Sequence, residues 1–213
     1  IELNNKISKT LEDLAQKIFK EWFIEKKNNK WKVGKLSDIA NITMGQSPSS
    51  KYYNQNGLGL PFHQGVTNFG ERYITSNDTY CSINGRTANE GDILLSVRAP
   101  VGRINIADRK IIIGRGLSAI RHKQKFQSFL FYELKRIFKK EDSMGSGSVY
   151  AAINKDELNN IEILIPDDNI LQKFENIALE YDKGIKMTYQ ENLKLVKIRD
   201  LLLPKLMRGE IRV

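Results

Sequence analysis

His63, His122 and Cys81 are the only imidazoles and the only thiol in this chain, and none stands where chemistry would want it. A nucleophile needs a base beside it and a third group to orient that base. A metal needs Cys, His or carboxylate ligands at short, regular spacing. Neither histidine has such neighbours. Three short motifs imitate reactive sites. Glu133-Leu134-Lys135 matches the E-x-K of many nucleases, but Leu134 falls on the apolar face of a predicted helix. Gly114-Arg115-Gly116-Leu117-Ser118-Ala119 matches G-x-G-x-x-A after the apolar run Ile111-Ile112-Ile113. Dinucleotide binding would require a helix to open there, inside a βαβ unit. Residues 117–126 carry no helical stripe, so a strand–turn–strand is expected instead. Gly45 precedes Lys51 by six residues, but the second glycine of a phosphate loop is missing.

What remains is the chemistry of recognition. Arg98, Arg103, Arg115 and Arg121 cluster near predicted turns. A guanidinium suits bidentate contact with phosphate or with a guanine edge. The loop Gly45-Gln46-Ser47-Pro48-Ser49-Ser50-Lys51-Tyr52-Tyr53-Asn54 is rich in hydroxyls, amides and rings, groups that bond phosphates and base edges alike. The candidate DNA-contacting residues are Gln46, Ser47, Lys51, Tyr52, Gln64, Asn68, Arg98, Arg103, Arg115, Ser148 and Tyr150. Each also has an ordinary explanation as a surface turn or an ion-pair partner.

The distribution of charge agrees. The formal net charge is +9. Residues 1–30 carry 7 basic and 5 acidic side chains, residues 31–160 carry 18 and 11, and residues 161–213 carry 9 and 9. The excess sits in the middle of the chain, where a polyanion such as nucleic acid would be met.

Helices flank that middle. In residues 1–25, Ile7, Leu11, Leu14, Ile18 and Trp22 repeat at steps of four and three with no Pro or Gly between them. In residues 170–202, Ile170, Phe174, Ile177, Tyr181, Leu195, Ile198 and Leu202 follow the 3.5-residue period of a coiled-coil seam. That register puts Gly184, Thr188 and Glu191 on the seam, with Ile185 and Tyr189 one position on. A slip after Gly184 is therefore expected. Pro204 should stop the helix near Leu203. The resulting rod of about 34 residues would be about 50 Å long. The first helix enters the middle segment and the second leaves it, so a pair formed by the two must run antiparallel.

Between them, short strands are expected at 60–63, 72–74, 93–97, 103–107, 110–113 and 161–165, with turns at Asn56-Gly57, Asn84-Gly85, Glu90-Gly91-Asp92 and Ala99-Pro100-Val101-Gly102. Residues 128–140 form an amphipathic helix burying Leu130, Phe131, Leu134, Ile137 and Phe138. Asn154 and Glu157 are spaced to cap a helix over 154–158. The fold class is α+β: a globular mixed domain over 31–168, between a coiled-coil helix and linker at 1–30 and a second coiled-coil helix and tail at 169–213. One cysteine excludes a disulfide framework within the chain, and no apolar run reaches the ~20 residues of a membrane span. A cytoplasmic bacterial or archaeal setting is the expectation by elimination. The chain opens on Ile1 rather than Met, which fits a fragment or unseen preceding residues.

In order and spacing, the chain resembles the specificity subunit of type I restriction–modification systems. Leu14-Ala15-Gln16-Lys17-Ile18-Phe19-Lys20-Glu21-Trp22-Phe23 is similar to the end of that family's central helix. Trp31 through Gly45-Gln46-Ser47-Pro48 is similar to the start of a target recognition domain. Gly145-Ser146-Gly147 through Ile161-Glu162-Ile163-Leu164-Ile165-Pro166 is similar to its end. The closing run from Leu201-Leu202-Leu203-Pro204 to Val213 is the most specific piece. The resemblance implies a non-catalytic subunit that reads one half of a bipartite site in double-stranded DNA, with antiparallel helices as spacer and docking surface. The implied partners are methyltransferase subunits using S-adenosylmethionine and, indirectly, restriction subunits using ATP and Mg. No cofactor is expected in this chain. Full members run to about twice this length with two recognition domains. This chain therefore resembles a C-terminal half or a short form able to form a homodimer. A stand-alone nuclease or DNA methyltransferase domain, and a protein-binding scaffold, remain as alternatives.

Overall fold

The computed structural model describes residues 1–143 and 152–211. In chain order its elements are α1 (Glu2–Lys20), which continues as one π-helical turn (Glu21–Glu25), β1 (Lys32–Lys35), α2 (Leu36–Ile39) and β2 (Ala40–Met44). A short 3-10 turn (Ser50–Tyr52) leads to β3 (Tyr53–Asn54), β4 (Leu60–His63), β5 (Tyr80–Cys81), β6 (Thr87–Ala88) and β7 (Ile93–Ser96). Then come β8 (Ile104–Ile106), β9 (Ile111–Ile113), β10 (Leu117–His122), α3 (Gln127–Ser143), α4 (Lys155–Asn159), β11 (Glu162–Ile165) and α5 (Asp168–Met207). The mixture of helices and sheets is the expected α+β class. The chain divides into two compact units, Ile1–Asn29 with Asp167–Val213, and Lys30–Pro166.

In the unit Lys30–Pro166, β2-β10-β7-β8 form an antiparallel sheet and β3-β5-β4-β9-β6 a mixed one, with β4 and β9 parallel. The run Ile111-Ile112-Ile113 explains why both sheets share a core. All three residues are fully buried, and in a strand successive side chains point to opposite faces. Ile111 and Ile113 join Leu94, Leu117 and Ala119, whereas Ile112 joins Phe62 and Cys81. Cys81 is thus a small core residue, as expected of a lone thiol. β1 pairs antiparallel with β11, tying the start of the unit to its end.

The expected strand at 72–74 reduces to isolated bridges, Phe69 to Ile74 and Tyr73 to Ile106. The turn after β9 leads to a strand, β10, and not to a helix, which removes the dinucleotide motif. α3 buries Leu130, Phe131, Leu134 and Phe138, with Ile137 half-buried. Its Glu133 is 1% exposed, and both carboxylate oxygens accept from Arg136 at 2.7 and 2.6 Å. That hydrogen bond raises the Arg136 pKa further. Lys135 lies over the Phe131 ring, 5.2 Å from its centre. The E-x-K triplet is thus spent on packing. α4 carries the expected cap: Asn154 Oδ1 accepts from the amides of Asp156 and Glu157, both at 2.9 Å, and Glu157 accepts from the Asn154 amide at 2.8 Å.

In the other unit, α1 and α5 pack as a pair, but on a different seam from the one expected. On α5 the residues turned inward are Leu171, Phe174, Ala178, Ile185, Thr188 and Asn192. On α1 they include Asn4, Ser8, Leu11, Ala15, Phe19 and Phe23. With the half-buried Tyr181 between Ala178 and Ile185, the α5 register is constant at steps of three and four, so no slip occurs at Gly184. Ile185 lies on the seam throughout, while Ile170 and Ile177 lie beside it, half-buried. Ile7 and Leu14 stay 40% and 41% exposed, their expected places taken by Ser8 and Ala15. Small residues won because they let the helices approach: a Cβ on Gly184 would lie 2.8 Å from Leu11 Cδ1. Of the expected seam, Leu11, Ile18, Trp22, Phe174, Tyr181 and Leu195 are buried or half-buried, but Ile198 and Leu202 are 51% and 41% exposed. Asn4, near the start of α1, bonds Asn192 at 3.0 Å, and Ile198 and Leu202 lie beyond that contact along α5. Phe174 anchors the other end, with ring centres of Phe23, Phe19 and Trp22 at 5.2, 5.9 and 6.4 Å.

α5 also runs past Pro204 to Met207, not stopping near Leu203. A proline in a last turn removes one bond, to the Asp200 carbonyl, and leaves its own carbonyl as acceptor. The Arg208 amide donates to it at 3.2 Å. Gly209 at φ 71° then closes the end.

Candidate nucleic-acid interface

The sequence-predicted residues are gathered by strand ends. At one end of the four-stranded sheet lie the last residues of β2 and β7 and the first of β10 and β8, because neighbours in that sheet run antiparallel. Met44 pairs Ser118, Leu117 pairs Ser96, and the Ser96 amide donates to the Arg103 carbonyl at 2.9 Å. Gln46, Arg115, Arg98 and Arg103 therefore leave the sheet from the same end. The mixed sheet adds to it. His63 pairs Ile113, and the amides of Gly114 and Gly116 donate to the carbonyls of His63 and Gln64 at 2.8 and 3.1 Å. Gln64 thus joins the rim.

Glycines make this convergence possible. A Cβ on Gly45 would lie 2.1 Å from the Gly114 carbonyl oxygen, and one on Gly116 would lie 2.3 Å from the Gln64 carbonyl oxygen. Backbone approaches this closely only where side chains are absent. The junction is held by Gly45 N to Leu117 O at 2.9 Å, Gln46 N to Ile113 O at 3.0 Å and Arg115 N to Ser47 Oγ at 3.2 Å. The Val97 amide donates to the Gly116 carbonyl at 2.9 Å, which brings Arg98 alongside. The G-x-G that imitates a nucleotide loop is therefore a strand crossover.

The arginines are divided between the two ends of the four-stranded sheet. Arg98, Arg103 and Arg115 are exposed, and none has a carboxylate partner among the described residues. At the opposite end the arginines are ion-paired, whereas Lys110 and Lys125 are exposed there with no carboxylate partner among the described residues. Arg121 bonds the Asp92 carboxylate and the Glu90 carbonyl, Arg109 bonds Asp108, and Lys123 bonds the carbonyls of Ser37 and Asp38. Sequence alone put Arg121 in one group with the other three arginines. The fold separates it from them by the length of β10.

The remaining candidates are placed differently. Asn68 gives its amide to Ser76 O, Ser76 Oγ and Asp78 Oδ2 at 3.1, 2.6 and 2.7 Å, so it braces its own turn. Lys51 lies 4.9 Å from the Tyr52 ring centre. The Tyr52 carbonyl accepts from Ser82, beyond the Cys81 end of β5, so this pair stands at the far end of the mixed sheet from Gln64. Ser148 and Tyr150 lie outside the described residues; the chain returns at Ala152, which bridges Arg98. A cleft of about 380 Å³ beside the rim is lined by Tyr53, Phe62, His63, Gln64, Asn68 and Asp78 among others. Burial holds the His63 imidazole below the ordinary histidine range, against the upward pull of its 2.9 Å bond to Asn77. Among the described residues no group of three His, Cys, Asp or Glu could hold a metal, and no helix is long and apolar enough to cross a membrane. The arrangement offers cations and amides on a shaped edge.

Comparison with known proteins identifies a family. Residues 28–198 match the model of the type I restriction modification DNA specificity domain. A Methanocaldococcus jannaschii protein named as the candidate specificity subunit of the type I restriction enzyme MjaX is 35% identical over 227 residues, covering 100% of this chain and 52% of that protein. The HindI specificity subunit of Haemophilus influenzae is 26% identical over 191 residues, covering 85% of this chain and 42% of its own length. The crystal structure of the HsdS subunit from Thermoanaerobacter tengcongensis superposes with a TM-score of 0.64 at 30% identity, covering 99% of this chain and 54% of that one. The chain thus spans about half the length of the curated relatives it matches. It belongs to the type I restriction modification DNA specificity domain family, with the parts of one target recognition domain and its flanking helices.

Proposed function

We propose that this chain is a non-catalytic DNA reader that recognises one half of a bipartite duplex site and docks methyltransferase subunits. The observation that carries the reading is the division of the arginines: exposed and without carboxylate partners among the described residues at one end of the four-stranded sheet, ion-paired at the other. Arg98, Arg103 and Arg115 neutralise phosphates and set register, while Gln46, Ser47 and Gln64 reach base edges. Lys51, Tyr52, Asn68, Ser148 and Tyr150 keep supporting parts in the same reading. The α1–α5 pair acts as spacer. Its outward apolar residues, among them Leu14 and Met187 at 41% and 69% exposure, suit a protein partner. The second half-site would be read by another recognition domain, in a longer chain or in a second copy. S-adenosylmethionine, ATP and Mg belong to the partners.

The test is the salt dependence of duplex binding by the chain with its methyltransferase partner. Each phosphate contact contributes about −0.9 to the slope of log affinity against log salt. Removing Arg98, Arg103 and Arg115 together is expected to reduce the slope by roughly 2.7, and removing Arg121 to leave it unchanged. An unchanged slope in the triple variant refutes the reading.

A further inference from the structure

The rim has a cation that sequence reasoning did not single out. We infer that Arg86, on the edge of the mixed sheet, is a further contact to the DNA phosphate backbone, so that the mixed sheet contributes a cation as well as Gln64. The inference rests on the DNA-reading proposal above and extends it to a second flank.

Its backbone position is fixed. The Ile113 amide donates to the Arg86 carbonyl at 2.8 Å, and His63 pairs Ile113 from the other side. Arg86, Ile113 and His63 therefore form one rung across β6, β9 and β4. That rung is the last before Gly114, Arg115 and Gln64 of the rim. Neighbouring strands lie about 4.8 Å apart, so Arg86 stands about 10 Å across the sheet from the strand that carries Gln64.

The approach to it is open on the solvent side and tight on the inner side. A Cβ on Gly85 would lie 2.9 Å from Ile112 Cγ2 and 3.4 Å from Pro48 Cγ. The chain before Arg86 is thus seated against the core and against the loop that carries Gln46 and Ser47. Gly85 is itself exposed, and it presents backbone, not a side chain, to whatever meets the edge. Among the described residues β6 pairs with β9 alone, and no further strand of theirs covers its outer side. The Arg86 side chain is exposed, with no carboxylate partner among the described residues. The two arginines at the opposite end, Arg121 and Arg109, are by contrast ion-paired.

An exposed arginine on an edge strand also has a bland role, keeping the edge from pairing with another sheet. Binding measurements separate the two. Arg86→Ala, Arg86→Lys and Arg121→Ala are compared with the parent and with Arg115→Ala, each assembled with its methyltransferase partner. The probes are a duplex carrying the site that the assembled complex methylates, mapped beforehand by sequencing methylated DNA, and a duplex of equal length without it. A phosphate contact carries no base information, so Arg86→Ala should weaken both duplexes by the same factor. Its slope should fall by about 0.9, so that the parent-to-variant affinity ratio changes about 3.5-fold between 50 and 200 mM salt. Arg86→Lys, which keeps the charge, should retain the slope, and Arg121→Ala should match the parent. If Arg115→Ala lowers the slope and Arg86→Ala does not, the inference fails and the broader reading stands. If neither does, both fail. Loss confined to the specific duplex would overturn the phosphate assignment in favour of base contact.

Discussion

Replacing Gly45 with alanine tests whether the rim is built by backbone packing. The added Cβ would lie 2.1 Å from the Gly114 carbonyl oxygen, and 2.8 Å from both the Gly114 carbonyl carbon and the Ile113 carbonyl oxygen. Ordinary contact begins near 3.4 Å, so the end of β2 must retreat by more than 1 Å from the β9–β10 crossover. All the obstructing atoms are backbone within the core, so no side chain can rotate away. The retreat strains three hydrogen bonds: Gly45 to Leu117, Gln46 to Ile113, and Arg115 to Ser47. Each contributes about 0.5–1.5 kcal/mol net, so the expected loss is roughly 2–4 kcal/mol. Gly65→Ala is the control: its Cβ meets nothing within 4 Å. That substitution should be neutral, or stabilising by a few tenths of a kcal/mol through the unfolded chain. Urea unfolding of the two variants, followed by their duplex affinity in the assembled complex, checks both levels. A Gly45→Ala protein within about 0.5 kcal/mol of the parent, with parental affinity, would refute the argument that this junction holds Gln46, Ser47 and Arg115 in place.

Phe174→Ala should destabilise the helix pair by about 3–5 kcal/mol, because the ring is fully buried among Phe19, Trp22 and Phe23; hydrogen exchange of α1 amides would report it. Asn154→Ala should cost about 1 kcal/mol by freeing the amides of Asp156 and Glu157, measured by urea unfolding. His63 predicts a pH dependence. Its folded pKa is lowered by burial, so its contribution to stability is complete above about pH 6.5 and is lost as pH falls below that towards the folded pKa. Unfolding between pH 7.5 and 5.5 should show the slope in the parent and a flatter profile in His63→Gln.

The periodicity of the sequence was enough to place α1, α3 and α5, and the spacing of Asn154 and Glu157 was enough to cap α4, because these depend on residues within a turn or two of each other. The same local information argues against a nuclease triplet: Leu134 belongs to a buried stripe, which commits Glu133 and Lys135 to a helix. It also located the excess of positive charge between the helices. Which residues form the helix seam was not local. Ile7 and Leu14 are larger and more apolar than Ser8 and Ala15, yet the latter pair faces α5, since close approach along the whole interface outweighs the burial of two side chains. The end of α5 was likewise decided by geometry, because a proline in the last turn removes one bond and leaves the others intact. The rim was the least legible part. Gln46, Gln64, Arg86, Arg98, Arg103 and Arg115 are scattered over some 70 residues of sequence, and strand pairing alone brings them to one end. Strand pairing also separates Arg115 from Arg121, six residues away in the same turn-and-strand segment. One ends up on the rim and the other against Asp92, because a strand carries its two ends to opposite sides of a domain.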